Sequence, residues 1–404
     1  MLPKLNLPEP SMPRIAYIQY TNPAGYPSLE HSSRLLADLG WKVLFLGTGI
    51  DGVESLRFPS HPNITVRQLS TCRSGWRLKV HYAWFSLWSV FWTLCSGCSW
   101  TYASDPLACP AGCLLSFVPW IRVVYHEHDS PTVNSPANNN ASRFMRFVLW
   151  TRRALSSRAK LCILPNEQRG KQFTTDTGRD TGVLCIWNCP MKNEVSPSRS
   201  SLNGGDLRVL YHGSIVPSRL PKTVLEALAL LPEQVKLCAI GYETAGHKGY
   251  VEQLRSFAAT LGISHRVEFA GTVPTRDELF ARCRQADIGL AFMPEKSHDI
   301  NEQAMTGASN KPFDYLACGL ALLVSDLPDW RAMYVDNGHA LAVDPADPDS
   351  IVKAVRWLLE HPIELRAMGE RGRQRILQEW NYEQQFAPVL QRLTKQPFPA
   401  KRRG

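Results

Sequence analysis

The sequence has 404 residues, of which 44% are hydrophobic and 20% are charged. This composition is globular, and it excludes wholesale disorder, a collagen-like fibre and a small disulfide scaffold. Because a single core rarely grows beyond roughly 250–300 residues, we expect two domains. The net charge of +9 comes from residues 1–200, which hold 21 Lys and Arg against 12 Asp and Glu. Nucleic acid, an anionic membrane surface and a phosphorylated small substrate all suit such an excess.

The cysteines and the start of the chain indicate the compartment. The segment MLPKLNLPEP has neither the basic nor the apolar region of a secretory signal. The 11 cysteines are odd in number and scattered, so we expect reduced thiols in a cytoplasmic protein. Cys95 and Cys98 form a CxxC, but no second pair stands at zinc spacing, and we expect them to be buried thiols.

The first half of the chain alternates short apolar runs with helical patterns. RIAYIQY and WKVLFLG flank a helix stopped by Gly40, which is the rhythm of βαβ units and a parallel sheet. A further strand, IRVVYH, opens onto the polar run His126–Asp129, where ligands of such sheets bind. Because alternate side chains of an extended segment point to opposite sides, we favour one functional histidine over a metal cluster, with a structural turn as the other reading.

Two segments of this half are unusual in composition. Residues 80–100 contain no Asp, Glu, Lys or Arg, and 21 residues are enough to span a bilayer. His81, several Ser and Thr residues and Gly97 favour a buried crossover helix, or an interfacial one, over a spanning helix. Residues 142–160 carry six cations and no acid beside Phe144, Phe147 and Trp150. This pattern fits contact with a membrane surface or an anionic acceptor, or an ordinary solvated face.

A linker rich in Pro, Ser, Gly and Asn at about residues 190–206 introduces a second domain with the same βα rhythm. Its strands are LRVLYH, VKLCAIG, VEFAG and DIGLAFM, and Thr275 with Glu278 forms a capping box. A long polar loop, 294–310, leads into KPFDYLACG, for which we predict Asn310 as N-cap and Gly319 as the stop. No GxxxxGK[ST], HExxH or GxSxG motif occurs, which removes the commonest NTPase, metalloprotease and hydrolase readings.

The most promising anion site is the start of the helix at Lys311. The backbone amides of Ser309, Asn310 and Lys311 are candidates to bind a phosphate, and Arg219, in another strand-to-helix loop, adds a cation. Every helix has such an end, so a solvated terminus is the alternative. Asp347 and Asp349 form a DxD, but their position before an amphipathic helix favours capping over metal binding.

Together these segments resemble the retaining glycosyltransferases of family 4, which have the B-type fold. In this family a loop with a glycine followed by a basic residue holds the donor pyrophosphate. GSIVPSR is similar to this loop, which implicates Gly213 and Arg219. VEFAGTVP resembles the turn lining the nucleotide base, which implicates Gly271 and Val273. VVYHEHDSP places His128 on the histidine near the transferred sugar, and Gly25 would let the first loop approach the donor or acceptor.

The likeness has three departures from the family pattern. Asp314 stands for the second Glu of an E-x7-E motif and keeps a carboxylate for the ribose hydroxyls. Thr306 stands for the first Glu, and Glu302 or Asp299 could compensate for it. Ser214 takes the place of a frequent Arg.

The resemblance implies an α/β protein with two facing Rossmann-like, doubly wound parallel-sheet domains and an interdomain cleft. We predict an acceptor-side domain at residues 1–195, a donor domain at 205–379, a helix at about 380–395 that packs back on the first domain, and a basic tail at 396–404.

The expected activity is retaining transfer of a hexose-type sugar from a nucleotide-diphosphate-sugar to a glycan or lipid-linked acceptor, in polysaccharide or glycolipid synthesis. The resemblance implies His128, Arg219 and Asp314 as catalytic residues, without metal or other cofactor. We expect no nucleic acid partner and a possible peripheral contact with the cytoplasmic face of an anionic membrane, through Arg143, Arg146, Trp150, Arg152 and Arg153. The alternatives are a non-catalytic nucleotide-sugar or glycan-binding scaffold and an epimerase of the same fold.

Overall fold

The structure is a computed structural model that describes residues 12–49, 56–70, 72, 75–131, 143–198 and 205–394. Two parallel sheets organise the described chain, and each has helices around it. The first sheet has seven strands in the order β3-β2-β1-β4-β5-β6-β7. These strands are β1 (Arg14–Ile18), β2 (Lys42–Thr48), β3 (Ile64–Leu69), β4 (Trp100–Ser104), β5 (Arg122–His126), β6 (Leu161–Leu164) and β7 (Val183–Cys185).

The second sheet has six strands in the order β10-β9-β8-β11-β12-β13. The predicted α/β class with two parallel sheets is therefore confirmed. These strands are β8 (Leu207–Ser214), β9 (Val235–Tyr242), β10 (Val267–Gly271), β11 (Ile288–Ala291), β12 (Ala321–Ser325) and β13 (Ala340–Val343).

The helices connect consecutive strands. Short 3-10 helices lie at Pro23–Gly25, Pro106–Ala108, Lys192–Glu194, Ala245–His247 and Ser264–Arg266, and a π-helical turn at Arg331–Val335. The α-helices are α1 (Pro27–Asp38), α2 (Trp76–Cys95), α3 (Cys109–Leu115), α4 (Arg143–Arg158), α5 (Glu167–Thr177), α6 (Thr223–Leu230), α7 (Tyr250–Thr260), α8 (Arg276–Cys283), α9 (Ile300–Gln303), α10 (Asn310–Ala317), α11 (Pro328–Trp330), α12 (Pro348–Glu360), α13 (Pro362–Gln378) and α14 (Tyr382–Thr394).

Each sheet has a hydrophobic core on both faces, as its strand sequences require. In β1, Ile15 and Tyr17 belong to one core and Ala16 and Ile18 to another, because successive side chains point to opposite faces. The all-apolar strands of the sequence are therefore central strands of parallel sheets. In both sheets the strand order reverses beside the first strand of the domain, which opens a crevice at the carboxyl ends.

The last described helix, α14, packs against the first domain. Tyr382, the first residue of α14, donates its backbone N–H to the Pro190 carbonyl at 2.9 Å and its hydroxyl to the Ser28 carbonyl at 3.0 Å. The apolar face of α14, which includes Phe386 and Val389, is part of the first-domain core. The predicted basic tail at 396–404 lies outside the described residues.

Three local predictions need correction. Ser309, not Asn310, is the N-cap of α10. Cys95 is exposed, whereas Cys98 is buried. Helix α2 is not a buried crossover helix, because seven of its large hydrophobic side chains are exposed. Within the described ranges, no helix is long and apolar enough to cross a membrane.

Candidate functional site

A cleft of about 250 Å³ lies between the two sheets at the carboxyl ends of their strands. The first domain contributes Gly25, Glu30 and Arg57, and the second contributes Arg219 and Lys311. Arg57 also donates its backbone N–H across the cleft to the Pro274 carbonyl at 2.9 Å. Groups from both domains therefore surround one volume, as a ligand between the sheets would require.

Two glycines let the second domain's backbone form the floor of the cleft. Gly213 has φ +113°, and a Cβ added there would lie 2.8 Å from Cε of Lys311. Gly241 has φ +150°, and its added Cβ would lie 1.8 Å from the Gly213 carbonyl oxygen. Any other residue at 241 would collide with backbone, which cannot move aside. The close approach of β8 and β9 thus depends on Gly241, and Gly213 leaves room for the Lys311 side chain.

Lys311 and Arg219 place two cations above this floor. Lys311 is buried, and burial, followed by the nearby Arg219, lowers the pKa of its ammonium group to about 7. Arg219 donates from Nη1 to Ser214 Oγ at 3.1 Å. Among the described residues neither cation forms an ion pair with a carboxylate, so both remain available to an anionic ligand. Two like charges held together without an anion between them are typical of an anion site.

The start of α10 contributes less backbone than the sequence predicts. The Ser309 N–H donates to the Met305 carbonyl at 2.9 Å, so it is not free to bind phosphate, which corrects that prediction. Asn310 and Lys311 line the cleft, and Ser309 does not. The Ser309 hydroxyl is buried without a hydrogen-bond partner. The backbone that remains for an anion is therefore that of Asn310 and Lys311.

Asp314 does not reach the cleft. Its carboxylate is fully buried and accepts from Arg276 Nη2 at 3.0 Å and from Asn310 Nδ2 at 3.2 Å. Burial raises the pKa of Asp314, while Arg276 opposes the rise. Asp314 does not line the cleft, so the structure does not place it for the predicted direct contact with ribose hydroxyls. Asp314 instead fixes Arg276, which does line the cleft.

Arg276 is the centre of a buried charge network that joins the domains. It donates from Nε to Glu194 Oε1 at 2.7 Å, in addition to its bond with Asp314. Glu194 Oε2 lies 3.0 Å from Nε2 of His31, which is on α1 of the first domain. Although burial opposes the shift, Arg276 and His31 hold the pKa of Glu194 well below its usual range. The network therefore fixes Arg276 between two carboxylates at the cleft wall.

Breaking this network should cost stability. We expect Asp314→Ala to lower the free energy of unfolding by about 3 kcal/mol, because it removes one of two partners of a buried guanidinium. Urea denaturation would measure the loss. The matched control is Asp326→Ala, which breaks the exposed Asp326–Arg331 pair and should cost no more than about 1 kcal/mol. Equal losses in both variants would contradict the role assigned to Asp314.

His128 lies at the carboxyl end of β5, beneath the ring of Tyr26, with ring centroids 5.2 Å apart. Both of its ring nitrogens have hydroxyl partners: Nδ1 lies 3.3 Å from Ser28 Oγ and Nε2 lies 3.0 Å from Ser104 Oγ. Burial, followed by Arg169, lowers the pKa of His128 to about 3. The histidine is therefore neutral near pH 7 and supplies no cation, and it is not among the residues that line the cleft.

Asp105, which holds the backbone beside His128, is a residue that the sequence prediction missed. It follows β4 with φ +65°, a left-handed conformation that is rare for a residue other than glycine. Its carboxylate accepts from the backbone N–H of His128 at 2.8 Å and from Gln19 Nε2 at 3.2 Å. Burial, followed by Asp129, raises its pKa to about 7. The available signal was its position after a strand and before a proline in YASDP.

Polar residues of the first domain hold the long loop of the second domain in place. The buried Arg169 donates to the carbonyl oxygens of His128 at 2.6 Å, Asn301 at 2.7 Å and Ala304 at 3.0 Å. Asn166 donates from Nδ2 to the Thr306 carbonyl at 2.8 Å. Residues in LPNEQR thus fix the loop that leads into α10, and with it the position of Lys311.

The structure shows which carboxylate lies beside Thr306, the residue that stands for the first Glu of the E-x7-E motif. Its hydroxyl is hydrogen-bonded to the Asp329 carboxylate, so the carboxylate beside Thr306 comes from α11. Glu302 instead accepts from Ser297 Oγ at 2.6 Å, and Asp299 caps α9. Neither Glu302 nor Asp299, the two predicted substitutes, is hydrogen-bonded to Thr306.

Two other predicted motifs have structural roles. Asp347 is the N-cap of α12 and accepts from the Asp349 N–H at 3.0 Å, as the capping interpretation predicts. Arg152 is buried and forms a bidentate pair with Glu127, at 2.6 and 2.9 Å. It therefore cannot contact a membrane or an acceptor, which corrects its assignment. Arg143, Arg146, Trp150 and Arg153 are exposed.

The comparisons with known proteins agree with this architecture. Residues 193–375 match the family model described as glycosyl transferases group 1. A GDP-mannose-dependent alpha-(1-6)-phosphatidylinositol monomannoside mannosyltransferase of Mycolicibacterium smegmatis is 27% identical over 180 residues, 45% of this chain and 46% of that protein. The match thus spans about half the length of that relative.

Solved structures match the whole fold. Sucrose-phosphate synthase from Thermosynechococcus elongatus has a TM-score of 0.70 and 17% identity, over 94% of this chain and 98% of that one. Anabaena HepE in complex with UDP-glucose also has a TM-score of 0.70 and 17% identity, over 95% of this chain and 100% of that one. At this identity the likeness concerns the fold alone.

Proposed function

The chain has the B-type glycosyltransferase fold and its residues 193–375 form a group 1 glycosyltransferase domain, and from this premise we propose retaining transfer of a hexose-type sugar from a nucleotide-diphosphate-sugar. The acceptor is a glycan or a lipid-linked sugar. The observation that carries the proposal is that Arg219 and Lys311 lie over the glycine floor of the cleft and form no ion pair with a carboxylate of the described residues. The name of the mycobacterial relative, which uses GDP-mannose, supports a donor of this class.

In the proposed reaction the donor diphosphate lies against Arg219, Lys311 and the backbone of Gly213. The bond between the anomeric carbon and the diphosphate oxygen breaks, and negative charge grows on the departing diphosphate. Two preorganised cations in a partly desolvated cleft stabilise that charge more in the transition state than in the bound donor. The acceptor hydroxyl then bonds to the anomeric carbon on the face that the diphosphate left, and its proton passes to the departing diphosphate oxygen.

The first domain holds the sugar and the acceptor. Neutral His128, whose two ring nitrogens are held by Ser28 and Ser104, and the adjacent Asp105, whose pKa is raised, lie at the carboxyl ends of first-domain strands and shape that side of the site. Contacts such as those of Arg169 to the loop before α10 keep the two domains together around the donor. This arrangement excludes water from the activated sugar.

The test is incubation of the protein with a panel of nucleotide sugars, with and without an acceptor extract, while released nucleotide diphosphate is measured. We expect release from one hexose donor that rises when acceptor is present. A change of the sugar without release would instead identify an epimerase. Binding without either reaction would identify a non-catalytic scaffold.

Activity should survive removal of divalent metal ions. The proposed catalysis needs only protein cations, and the Asp347–Asp349 motif serves as a helix cap. Transfer rates should therefore agree within about twofold with and without EDTA, because no charge would be lost from the transition state. Complete loss in EDTA that magnesium or manganese restores would contradict this mechanism.

A further inference from the structure

Helix α2 has an apolar outer face. Its buried residues are Ser86, Ser89 and Thr93 together with Tyr82 and Phe85, so the hydrophobic side chains of this helix are not confined to the core. Trp84 is 58% exposed and Phe91 is 56% exposed. The exposed stripe recurs every three or four residues, which is the spacing of one helix face. It consists of Trp76, Val80, Trp84, Leu87, Phe91 and Leu94.

Neighbouring segments extend this surface. Phe144 of α4 packs edge-on against Tyr82 of α2, with ring centroids 5.0 Å apart. Arg158 of α4 lies over the ring of Phe117, with its guanidinium 3.9 Å from the ring centroid. These neighbouring segments carry further exposed apolar residues, and together with the stripe on α2 we call them the apolar face. The added residues are Leu114, Phe117, Trp120, Phe147 and Trp150.

The charges around the apolar face have one sign. Residues 76–104 and 143–166 contain no Asp or Glu. The exposed cations on α2 and α4 are Arg77, Lys79, Arg143, Arg146, Arg153 and Arg158. A second copy of this chain would bring like charges together around the contact, whereas an anionic lipid surface would neutralise them. The charge pattern therefore selects a bilayer as the occupant.

We propose that the apolar face inserts into the interfacial region of an anionic bilayer, with α2 lying in the plane of the membrane. Tryptophan and phenylalanine on one side of a helix, with cations at its edge, are what interfacial insertion requires. An exposed apolar surface on three neighbouring segments is otherwise a cost to a protein in water. The insertion makes the predicted membrane contact hydrophobic as well as electrostatic.

The inner side of α2 connects this surface to the cleft. The Tyr20 hydroxyl, just beyond β1, lies 2.9 Å from Nδ1 of His81, and Tyr82 donates its hydroxyl to the Leu107 carbonyl at 2.8 Å. Both contacts are at carboxyl ends of first-domain strands. Insertion of α2 therefore brings the acceptor side of the cleft close to the bilayer, which suits a lipid-linked acceptor; this last step rests on the proposed function.

The test is co-sedimentation of the full chain with vesicles of phosphatidylcholine alone and of phosphatidylcholine with 30% phosphatidylglycerol. The test variant combines Trp84→Ser, Leu87→Ser and Phe91→Ser. The control combines Leu39→Ser, Leu230→Ser and Ile363→Ser, which are exposed hydrophobic residues outside the apolar face. We expect the test variant to bind anionic vesicles at least about tenfold more weakly, and the control to bind like the wild type.

Acyl-chain bromination tests the depth of insertion. Vesicles with brominated chains should quench the tryptophan fluorescence of the wild type, and Trp84→Phe should reduce the quenching. Unchanged binding by the test variant, or binding without quenching, would overturn insertion. A concentration-dependent dimer that the test variant abolishes would also overturn it, since a second copy would then be the occupant.

Nucleotide diphosphate binding without vesicles separates this inference from the proposed function. Retained binding by the test variant, together with lost sedimentation, supports insertion and shows that the variant is folded. A wild type that binds vesicles but no nucleotide diphosphate would contradict the proposed function and leave insertion supported.

Discussion

Replacing Arg219 with Ala is expected to lower kcat/KM for the nucleotide-sugar donor about 100- to 1000-fold, because the guanidinium stabilises the departing diphosphate in the transition state. Binding of the nucleotide diphosphate should weaken by about 10- to 150-fold, the equivalent of about 1.5–3 kcal/mol for a charge-assisted hydrogen bond. Steady-state kinetics and titration calorimetry measure the two effects separately.

The control for this variant is Arg356→Ala. Arg356 is exposed on α12 and donates to the Leu230 carbonyl, away from the cleft. This substitution removes the same charge from the same domain. It should leave kcat/KM and the Kd of the nucleotide diphosphate within about twofold of the wild type, as surface substitutions usually do. If Arg219→Ala behaved like Arg356→Ala, Arg219 would not be a donor ligand.

Replacing Lys311 with Ala should weaken donor binding by a similar factor, and Lys311 adds a pH dependence. Its pKa of about 7 in the free protein means that the ammonium form is nearly complete below about pH 6, is half populated near pH 7 and is lost as the pH rises further. A bound diphosphate favours the charged form and raises this pKa. Above pH 7, binding therefore takes up a proton, and the donor Kd should rise by up to tenfold per pH unit.

The measurement is calorimetry with an intact nucleotide sugar, at pH 6 to 9 and in buffers of different ionisation enthalpy. Proton uptake approaching one per donor near pH 8.5 is the expected result. Lys311→Ala should bind weakly at every pH and without this proton uptake. A Kd that stayed constant from pH 6 to 9 in the wild type would contradict the assigned role of Lys311.

Much of the fold could be predicted because local pattern and topology agree. Runs such as IAYI in β1 and VLY in β8 are apolar at consecutive positions, which is typical of a strand covered on both faces, and each precedes a helical pattern. Helix α2 was predicted less well, because composition shows that a segment is apolar but not which way it faces. Its serines and Thr93 counted as evidence against a membrane-spanning helix, and Ser86, Ser89 and Thr93 are buried against the domain beside Tyr82 and Phe85.

A site residue could be predicted where its own charge suits the ligand and where it lies in a loop after a strand or at the start of a helix. Arg219, after β8, and Lys311, at the start of α10, meet both conditions, and both line the cleft. The prediction failed for Asp314 and Arg152, which are buried in ion pairs. A charged side chain in a sequence motif gives no sign that a partner far away in the chain neutralises it. Their partners, Arg276 and Glu127, are 38 and 25 residues away in the chain. Only the folded structure brings such pairs together.

The most direct test of the account is hydrogen exchange of the full chain with and without the donor, read by mass spectrometry. The account predicts slower exchange in residues 213–219, 271–276 and 310–313, which surround the cleft at the carboxyl ends of the second sheet. A cavity of similar size, about 280 Å³, lies at the opposite ends of these strands and is lined by Arg208, Lys236 and Arg282. Protection confined to that cavity would contradict the assignment of the donor site.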